Sequence, residues 1–384
     1  MSFFRFSIAL GAFFAAPLFS LAAPAPDVLM PVPPALAARA WVLMEFPSGQ
    51  VLGEEKADEQ RPPASLTKLM SAYLVFSALR RKTLTLSSAV KISEKAWKST
   101  GSRMFARVDE TVPIDALLKG MIIQSGNDAS IALAEAVAGS EEAFAAMMNR
   151  EAERLGMKRT HFVNATGLPH PDHYSTARDL SALAAALIRD FPDEYARYYS
   201  MKEFSYQGIK QANRNRLLWL DESVDGMKTG FTESAGFCLI ASSRRGERRL
   251  LSVVMGTDSD AARAHESLKL LNWGYQSFDA IRLYRSGQSL SSLRVWKGGA
   301  NTVKTGFLED FLISVPKHAG EHLEARLMTR PQIVAPIRKG QTIGVLKLSL
   351  AGHPYGEYPV RALEDVPMGS RLSRFFDSVR LWFF

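Results

Sequence analysis

The run Arg61-Pro62-Pro63-Ala64-Ser65-Leu66-Thr67-Lys68-Leu69-Met70-Ser71-Ala72-Tyr73-Leu74-Val75-Phe76 constrains the fold more than any other part of this 384-residue chain. Two prolines halt the preceding segment, and Ser65 stands where a helix is predicted to begin. Leu66, Leu69, Met70, Tyr73, Leu74, Val75, Phe76 and Leu79 then put apolar groups almost all round that helix. A helix apolar on every side is a buried one, so a domain must be built around it. Yet its first turn carries a hydroxyl and, three residues on, an amine. Positions i and i+3 share a face, which predicts that Ser65 and Lys68 touch. An interior lysine is costly to bury. Ser65-Leu66-Thr67-Lys68 therefore reads as a nucleophile beside its base.

The length allows about two domains, and an apolar share of 47% excludes a disordered chain. The net charge of +8 points to an anionic partner. No finger, basic helix or aromatic–basic ladder is present, so nucleic acid is not expected. An anionic membrane surface or an anionic polymer fits better. Cys238 has no second cysteine to pair with. It lies in the apolar run 235–240, read as a buried strand with a core thiol.

Residues 1–22 are expected to be a signal peptide: Arg5 supplies the positive start, 6–21 is mostly apolar, and Ser20-Leu21-Ala22 offers small residues for cleavage. A permanent anchor is the alternative, but the proline-rich stretch 23–34 favours cleavage after Ala22. An exported, periplasmic protein is expected.

From there, 40–44 and 51–52 around Pro47-Ser48-Gly49 read as a β-hairpin. Residues 83–97 alternate and predict strand and turn. Helices are expected at 114–123, 129–138, 141–155 and 177–189. Strands are expected at 224–229, 236–242 and 250–256. A closing helix carries Ala264, Leu268, Leu271, Tyr275 and Phe278 at helical spacing. That is a layered α+β or α/β domain, assigned to 23–279. From 280 to 367, short β-like runs (293–296, 311–315, 323–328, 342–350, 358–362) separated by Gly, Pro and Lys predict a small all-β domain. The tail, 368–384, puts Leu372, Phe375, Phe376, Val379, Trp382 and Phe383 on one helical face and Arg371, Arg374 and Arg380 off it. At 17 residues with three arginines it suits the interface of an anionic bilayer better than a span. Packing on its own domain is the alternative.

A Ser-x-x-Lys match is weak by itself, and it occurs at Ser65/Lys68, Ser88/Lys91 and Ser314/Lys317. Lys-Thr-Gly occurs at Lys228-Thr229-Gly230 and Lys304-Thr305-Gly306. Ser88 lies in the alternating stretch and Ser314 in an expected strand, so both are read as solvated or structural. The set that survives is Ser65-x-x-Lys68, Ser125-Gly126-Asn127 and Lys228-Thr229-Gly230, in that order. Lys68 can accept a proton only when neutral, and burial with a neighbouring cation such as Lys228 lowers its pKa. Ser125 can relay protons. Asn127 can hold a substrate amide or orient Lys68. Lys228 and Thr229, at a strand edge, suit a carboxylate and an extended peptide.

The three motifs together resemble those of penicillin-binding proteins and class A β-lactamases, with Gly126 where the second motif has Asp. The chain is identified as a member of the low-molecular-mass penicillin-binding proteins, the D-alanyl-D-alanine carboxypeptidases of peptidase family S11. Further segments carry the likeness: Gly101-Ser102-Arg103-Met104-Phe105, His161-Phe162-Val163-Asn164, Gly167-Leu168, His173-Tyr174-Ser175-Thr176-Ala177, Val224-Asp225-Gly226, Val295-Trp296-Lys297-Gly298 and 335–341. The resemblance implies a β-lactamase/DD-peptidase-like catalytic domain, an all-β C-terminal domain and an amphipathic anchor. It implies Ser65 as acyl-enzyme nucleophile, Lys68 as base, Ser125 as proton shuttle and Lys228 on the substrate carboxylate, with Asn127, Thr229, Gly230 and Phe231 in the substrate site. Peptidoglycan pentapeptide and β-lactams are the expected ligands; no cofactor or metal is expected. Some relatives have histidine after Lys-Thr-Gly where Phe231 stands, so a side-chain role is lost there, while its N–H can still serve the oxyanion hole.

Four rival readings remain. A β-lactamase shares the motifs but calls for a Glu-x-x-Leu-Asn element, which is not evident. A metallopeptidase would draw on His161, His170, Asp172 and His173, but the His170/His173 pair spans Pro171 and lacks a zincin pattern. A DD-endopeptidase of the same family is the nearest alternative. An inactive, membrane-tethered wall-binding scaffold is the non-enzymatic one.

Overall fold

The structure is a computed structural model describing residues 28–329 and 332–381. The expected signal peptide, and Trp382 and Phe383 of the tail, lie outside the described residues.

Strands β1 (Ala40–Phe46) and β2 (Val51–Glu55) form the expected hairpin. β1 alternates faces: Trp41 and Leu43 enter one apolar cluster, Val42 and Met44 another. A strand buried on both faces belongs in the middle of a layered domain. The buried helix α1 runs Lys68–Arg80, and it is buried from Lys68 to Phe76 without a break. Ser65 lies just before it, in a tight 3-10 turn over Ala64–Thr67. Side chains at i and i+3 eclipse in such a turn, so the predicted Ser65–Lys68 approach is kept.

The alternating stretch 83–97 is the first departure. Only β3 (Ala89–Lys91) is strand, paired with β4 (Thr111–Pro113). Helix α2 (Glu94–Trp97) follows at once, because Ser93 Oγ accepts from Ala96 N and caps it. Helices α3 (Ile114–Ile123), α4 (Asn127–Ala138), α5 (Glu141–Arg154) and α6 (Ala177–Asp190) match the expected helices to within two residues. The sequence reading missed α7 (Pro192–Tyr198), the hairpin β5 (Glu203–Tyr206) with β6 (Ile209–Ala212), and the short α8 (Leu217–Leu220). β7 (Val224–Thr232), β8 (Gly236–Arg245) and β9 (Arg248–Thr257) complete an antiparallel sheet in the order β2-β1-β9-β8-β7. β7, which carries Lys228-Thr229-Gly230, is an edge strand. Helix α9 (Asp260–Ser277) covers one face of this sheet. Phe278, expected on that helix, instead begins the next strand. Cys238 is buried in β8, and burial pushes its thiol up to about 11.

The C-terminal part is all β apart from a single short turn and the tail. β10 (Phe278–Tyr284) pairs with β13 (Phe311–Pro316). β11 (Ser289–Arg294), β12 (Thr302–Gly306), β14 (Leu323–Thr329), β15 (Thr342–Leu350) and β16 (His353–Ala362) form a five-stranded sheet. β12 was missed because only Val303 and the hydroxyl-bearing Thr305 point inward, so its pattern is weak. The tail forms α10 (Arg371–Arg380), which buries none of its side chains.

One polar cluster joins the two domains. Glu45 on β1 is fully buried; its Oε2 accepts from Arg248 Nε at 2.8 Å and from the Ser314 hydroxyl. Arg248 also donates to Ser314 Oγ at 2.7 Å and to the Phe278 carbonyl at 2.9 Å. Gln50 brackets the Ser314 backbone from both sides, accepting at 2.8 Å and donating at 2.9 Å. Burial pushes the Glu45 carboxyl up, and Arg248 pulls it back. Ser314, the serine of a spurious Ser-x-x-Lys match, is thus structural. Arg248→Met removes the counter-charge and leaves a buried carboxylate alone. The expected loss is about 3–5 kcal/mol in urea denaturation; an unchanged midpoint would show that the cluster contributes nothing.

Candidate active site

Lys68 is 1% exposed, and its ammonium nitrogen meets three oxygens. Nζ donates to Ser65 Oγ at 2.8 Å, to Asn127 Oδ1 at 2.7 Å and to the Thr166 carbonyl at 2.7 Å. Three separate elements supply them: the turn before α1, the start of α4 and the loop after α5. Burial is the main cause that pushes the Lys68 amine down, to about 7, followed by the charge of Arg214; Asp128 pushes it back up. Arg214 was not singled out from the sequence, because nothing local ties it to the three motifs. Lys228 is held well below its ordinary value by burial first, then by Lys68, Arg214 and Arg263.

The other expected site residues surround the same cleft, of about 790 Å³. Ser65, Ser125, Asn127, Thr229, Gly230 and Phe231 line it, joined by Gly101, Ser102, Gly167, Leu168, Arg214, Arg216 and Asp260. Ser125 takes a left-handed φ of +66° on the turn between α3 and α4, and its buried Oγ has no hydrogen-bond partner among the described residues. Lys228 lies buried beneath the lining, its Nζ donating to the Thr229 carbonyl at 3.0 Å. Phe231 is half exposed and packs on Phe237, ring centres 4.2 Å apart.

Asn127 and Asp128 hold the cleft wall formed by residues 100–106. Asn127 Nδ2 donates to the Thr100 carbonyl at 2.6 Å, and its N–H to the Ser102 carbonyl at 2.7 Å. The buried Asp128 carboxylate accepts from the N–H groups of Met104, Phe105, Ala106 and Ala129 at 2.9–3.2 Å. Its position beside Ser125-Gly126-Asn127 was the available sequence signal, and it was overlooked. The opposite wall depends on Gly167, at φ +83°: a Cβ there would lie 1.8 Å from the Ala64 carbonyl oxygen. Only glycine lets that loop reach the turn bearing Ser65.

The histidines proposed for a metal site are engaged otherwise. His173 Nε2 pairs with Thr67 Oγ1 at 2.9 Å, and its Nδ1 accepts from Val163 N at 3.1 Å. His161 Nδ1 meets the Asp172 backbone carbonyl, not the carboxylate, at 2.6 Å. Among the described residues, no group of three or more His, Cys, Asp and Glu is placed to hold a metal ion. Ser88, of the other spurious motif, closes a turn by accepting from Thr85 N at 2.9 Å.

Two family profiles cover most of the chain. One, described as D-alanyl-D-alanine carboxypeptidase, matches residues 27–259; the other, described as the C-terminal domain of penicillin-binding protein 5, matches 278–368. The chain is 42% identical to the D-alanyl-D-alanine carboxypeptidase DacC of Escherichia coli strain K12, over 91% of this chain and 89% of that one. It is 37% identical to DacA of the same strain, over 92% and 90%. Among solved structures, penicillin-binding protein 5 from Haemophilus influenzae superimposes with a TM-score of 0.78 at 39% identity, covering 88% of this chain and 99% of that one. The layered catalytic domain, the cleft and the appended β domain define a carboxypeptidase hydrolase of the penicillin-binding-protein class. The chain belongs to the D-alanyl-D-alanine carboxypeptidase family, peptidase S11, with a C-terminal domain of the penicillin-binding protein 5 type.

With Lys68 as the base for Ser65, the roles that the family resemblance implies, acylation is expected to rise through pH about 7, as Lys68 becomes neutral, and to level off above it. Asp128→Asn removes the anion that pushes Lys68 up, so this limb should move to lower pH. A purely structural role for Asp128 would lower the rate and leave the limb in place. The pH dependence of acylation, measured by stopped flow, decides between them.

Proposed function

We propose that this chain is a serine-type D-Ala-D-Ala carboxypeptidase that removes the terminal D-alanine of peptidoglycan pentapeptide. The observation that carries the reading is the Lys68 amine: buried, pushed down to about 7, and 2.8 Å from Ser65 Oγ. As Ser65 Oγ attacks the penultimate D-alanine carbonyl, neutral Lys68 takes its proton. Asn127 and the Thr166 carbonyl hold the resulting ammonium in place. The N–H groups of Ser65 and Phe231 receive the oxyanion. Ser125, whose hydroxyl is unpaired among the described residues, relays the proton from the Lys68 ammonium to the departing amine; the C–N bond breaks, D-alanine leaves as a free amino acid and Lys68 is neutral again. Water then attacks the acyl-enzyme; Lys68 accepts its proton and returns it to Ser65 Oγ as the ester bond breaks, which frees the shortened peptide and restores the enzyme. Arg214 provides positive charge and Thr229 a hydroxyl for the leaving residue's carboxylate, with Lys228 beneath them holding the Thr229 carbonyl.

β-Lactams are read as acylating the same serine. Among the described residues lining the cleft, the one carboxylate is Asp260, held by Arg216 and Arg263. It is not free to act as a carboxylate base on water, so activation of a deacylating water is left to Lys68. A solved relative, penicillin-binding protein D2 of Listeria monocytogenes, is described in an ampicillin-bound form; it is 32% identical, with a TM-score of 0.58, covering 63% of this chain and 98% of that one.

The further reading is of an exported enzyme working in the periplasm, with residues 23–279 as its catalytic unit and 280–367 as a β domain. It lies against the outer face of the cytoplasmic membrane through 368–384. Leu372, Phe375, Phe376 and Val379 of α10 are exposed, and Arg371, Arg374 and Arg380 accompany them. No helix among the described residues is long and apolar enough to cross a membrane.

Intact mass after incubation with benzylpenicillin should show a stable adduct on the wild type and none on Ser65→Ala. Release of D-alanine from a pentapeptide should accompany it. Lys68→Ala should abolish the adduct; normal acylation in that variant would refute the base assignment. A chain ending at Gly369 spares the Met368–Gly298 pairing and should leave anionic vesicles while still hydrolysing a soluble peptide. If it stays bound, the membrane contact lies elsewhere.

A further inference from the structure

The chain segments that form both walls of the cleft run on into the lining of a second hollow of about 500 Å³. On one side Gly167 and Leu168 of the cleft lead into Pro169, His170 and Pro171 of the hollow. On the other, Thr232 leads to Ser234, their hydroxyls 3.3 Å apart. The third side is Gln60-Arg61-Pro62, the segment that enters the Ser65 turn, and the floor includes His173, bonded to Thr67 two residues beyond Ser65. The hollow is therefore joined to the reaction centre by three chain segments.

The chemistry of its lining is one-sided. Arg61 is the permanent charge among the described lining residues, and no carboxylate lines the hollow. Of the Arg61 guanidinium nitrogens, Nη2 donates to the Glu59 carboxylate at 2.7 Å, while the buried Nε has no partner among the described residues. Gln60, Tyr174 and Ser234 add polar groups that can donate hydrogen bonds. Burial, with His161, His170 and Lys68, pushes His173 down to about 4, so it is neutral at neutral pH. Pro62, Pro169, Pro171 and the Tyr174 ring supply rigid apolar surface that pays little entropy on binding.

The direction of the substrate places this hollow. With the leaving residue's carboxylate near Lys228 and Thr229 and the scissile carbonyl at Phe231, a peptide added to the free edge of β7 carries its acyl side toward Thr232 and Ser234. Three residues of extended chain past Phe231 cover about 10 Å. We propose that the hollow is a subsite for a carboxylate borne on the acyl side of the peptide substrate, two or three residues before the scissile bond, with Arg61 as its principal ligand. The proposal rests on the carboxypeptidase reading and deepens it: the enzyme selects for an anionic group on the acyl side of its peptide.

The test uses two synthetic peptides ending in D-Ala-D-Ala, identical except that the acyl-side group is a carboxylate in one and its primary amide in the other. The wild type should favour the carboxylate in kcat/KM by roughly tenfold, mostly through KM, the size of one partly exposed charge-assisted hydrogen bond. Arg61→Gln should reduce that preference to within about twofold, and its penicillin adduct reports that the variant is folded. Should Arg61→Gln form no adduct, Ser234→Trp fills the hollow from the exposed opposite wall and is expected to erase the same preference. Equal kcat/KM for both peptides in the wild type, or a preference that survives in the folded variant, overturns the subsite. D-alanine release from neither peptide overturns the carboxypeptidase reading itself, and the subsite falls with it.

Discussion

An amine taken out of water and handed three oxygen acceptors is the constraint on which the catalytic domain depends. Desolvation favours the uncharged form of Lys68, while the acceptors on Ser65, Asn127 and Thr166 make burial tolerable in either protonation state. Those acceptors reach one point only because α1 is buried from Lys68 to Phe76 and α4 and the 162–168 loop pack against it. Gly167 permits the last approach, since any side chain there would collide with the turn bearing Ser65. Packing of the core and the lowering of the Lys68 pKa are therefore one event.

The start of α4 links this centre to the cleft wall. Asn127 touches Lys68 with one end of its amide and the Thr100 carbonyl with the other, while Asp128 gathers four backbone N–H groups. Asp128 is also the anion that restrains the fall in the Lys68 pKa. Shape and charge are thus set by neighbouring residues of one helix terminus. A change in either propagates to the other.

The β domain is attached through chemistry as well as chain continuity. Glu45, Arg248, Gln50 and Ser314 form a buried polar joint whose members pair with one another across the two domains. At the far end, Asp377 of α10 accepts from the Lys297 N–H at 2.6 Å, tying the amphipathic helix to the β domain while its apolar side chains stay exposed. In the proposed setting the β domain is a spacer between membrane and cleft, fixed at both ends.

Much of this was legible in the order of residues. The all-round apolar run after Pro62-Pro63 determined a buried helix, and helical or alternating periodicity determined α3 to α6 and the central strands, because these patterns are local. The three motifs determined which residues meet at the cleft. Short elements escaped: α2 depends on the Ser93 cap, and β12 has few apolar side chains to mark it. Tertiary structure alone decided that Arg214 and Asp128 tune Lys68, that Thr166 offers its carbonyl, and that Ser314 joins two domains rather than serving chemistry. The reason is physical. Periodicity is a property of neighbours in the chain, whereas desolvation and Coulomb interaction depend on distance in space, and folding brings together residues as far apart as Lys68 and Arg214.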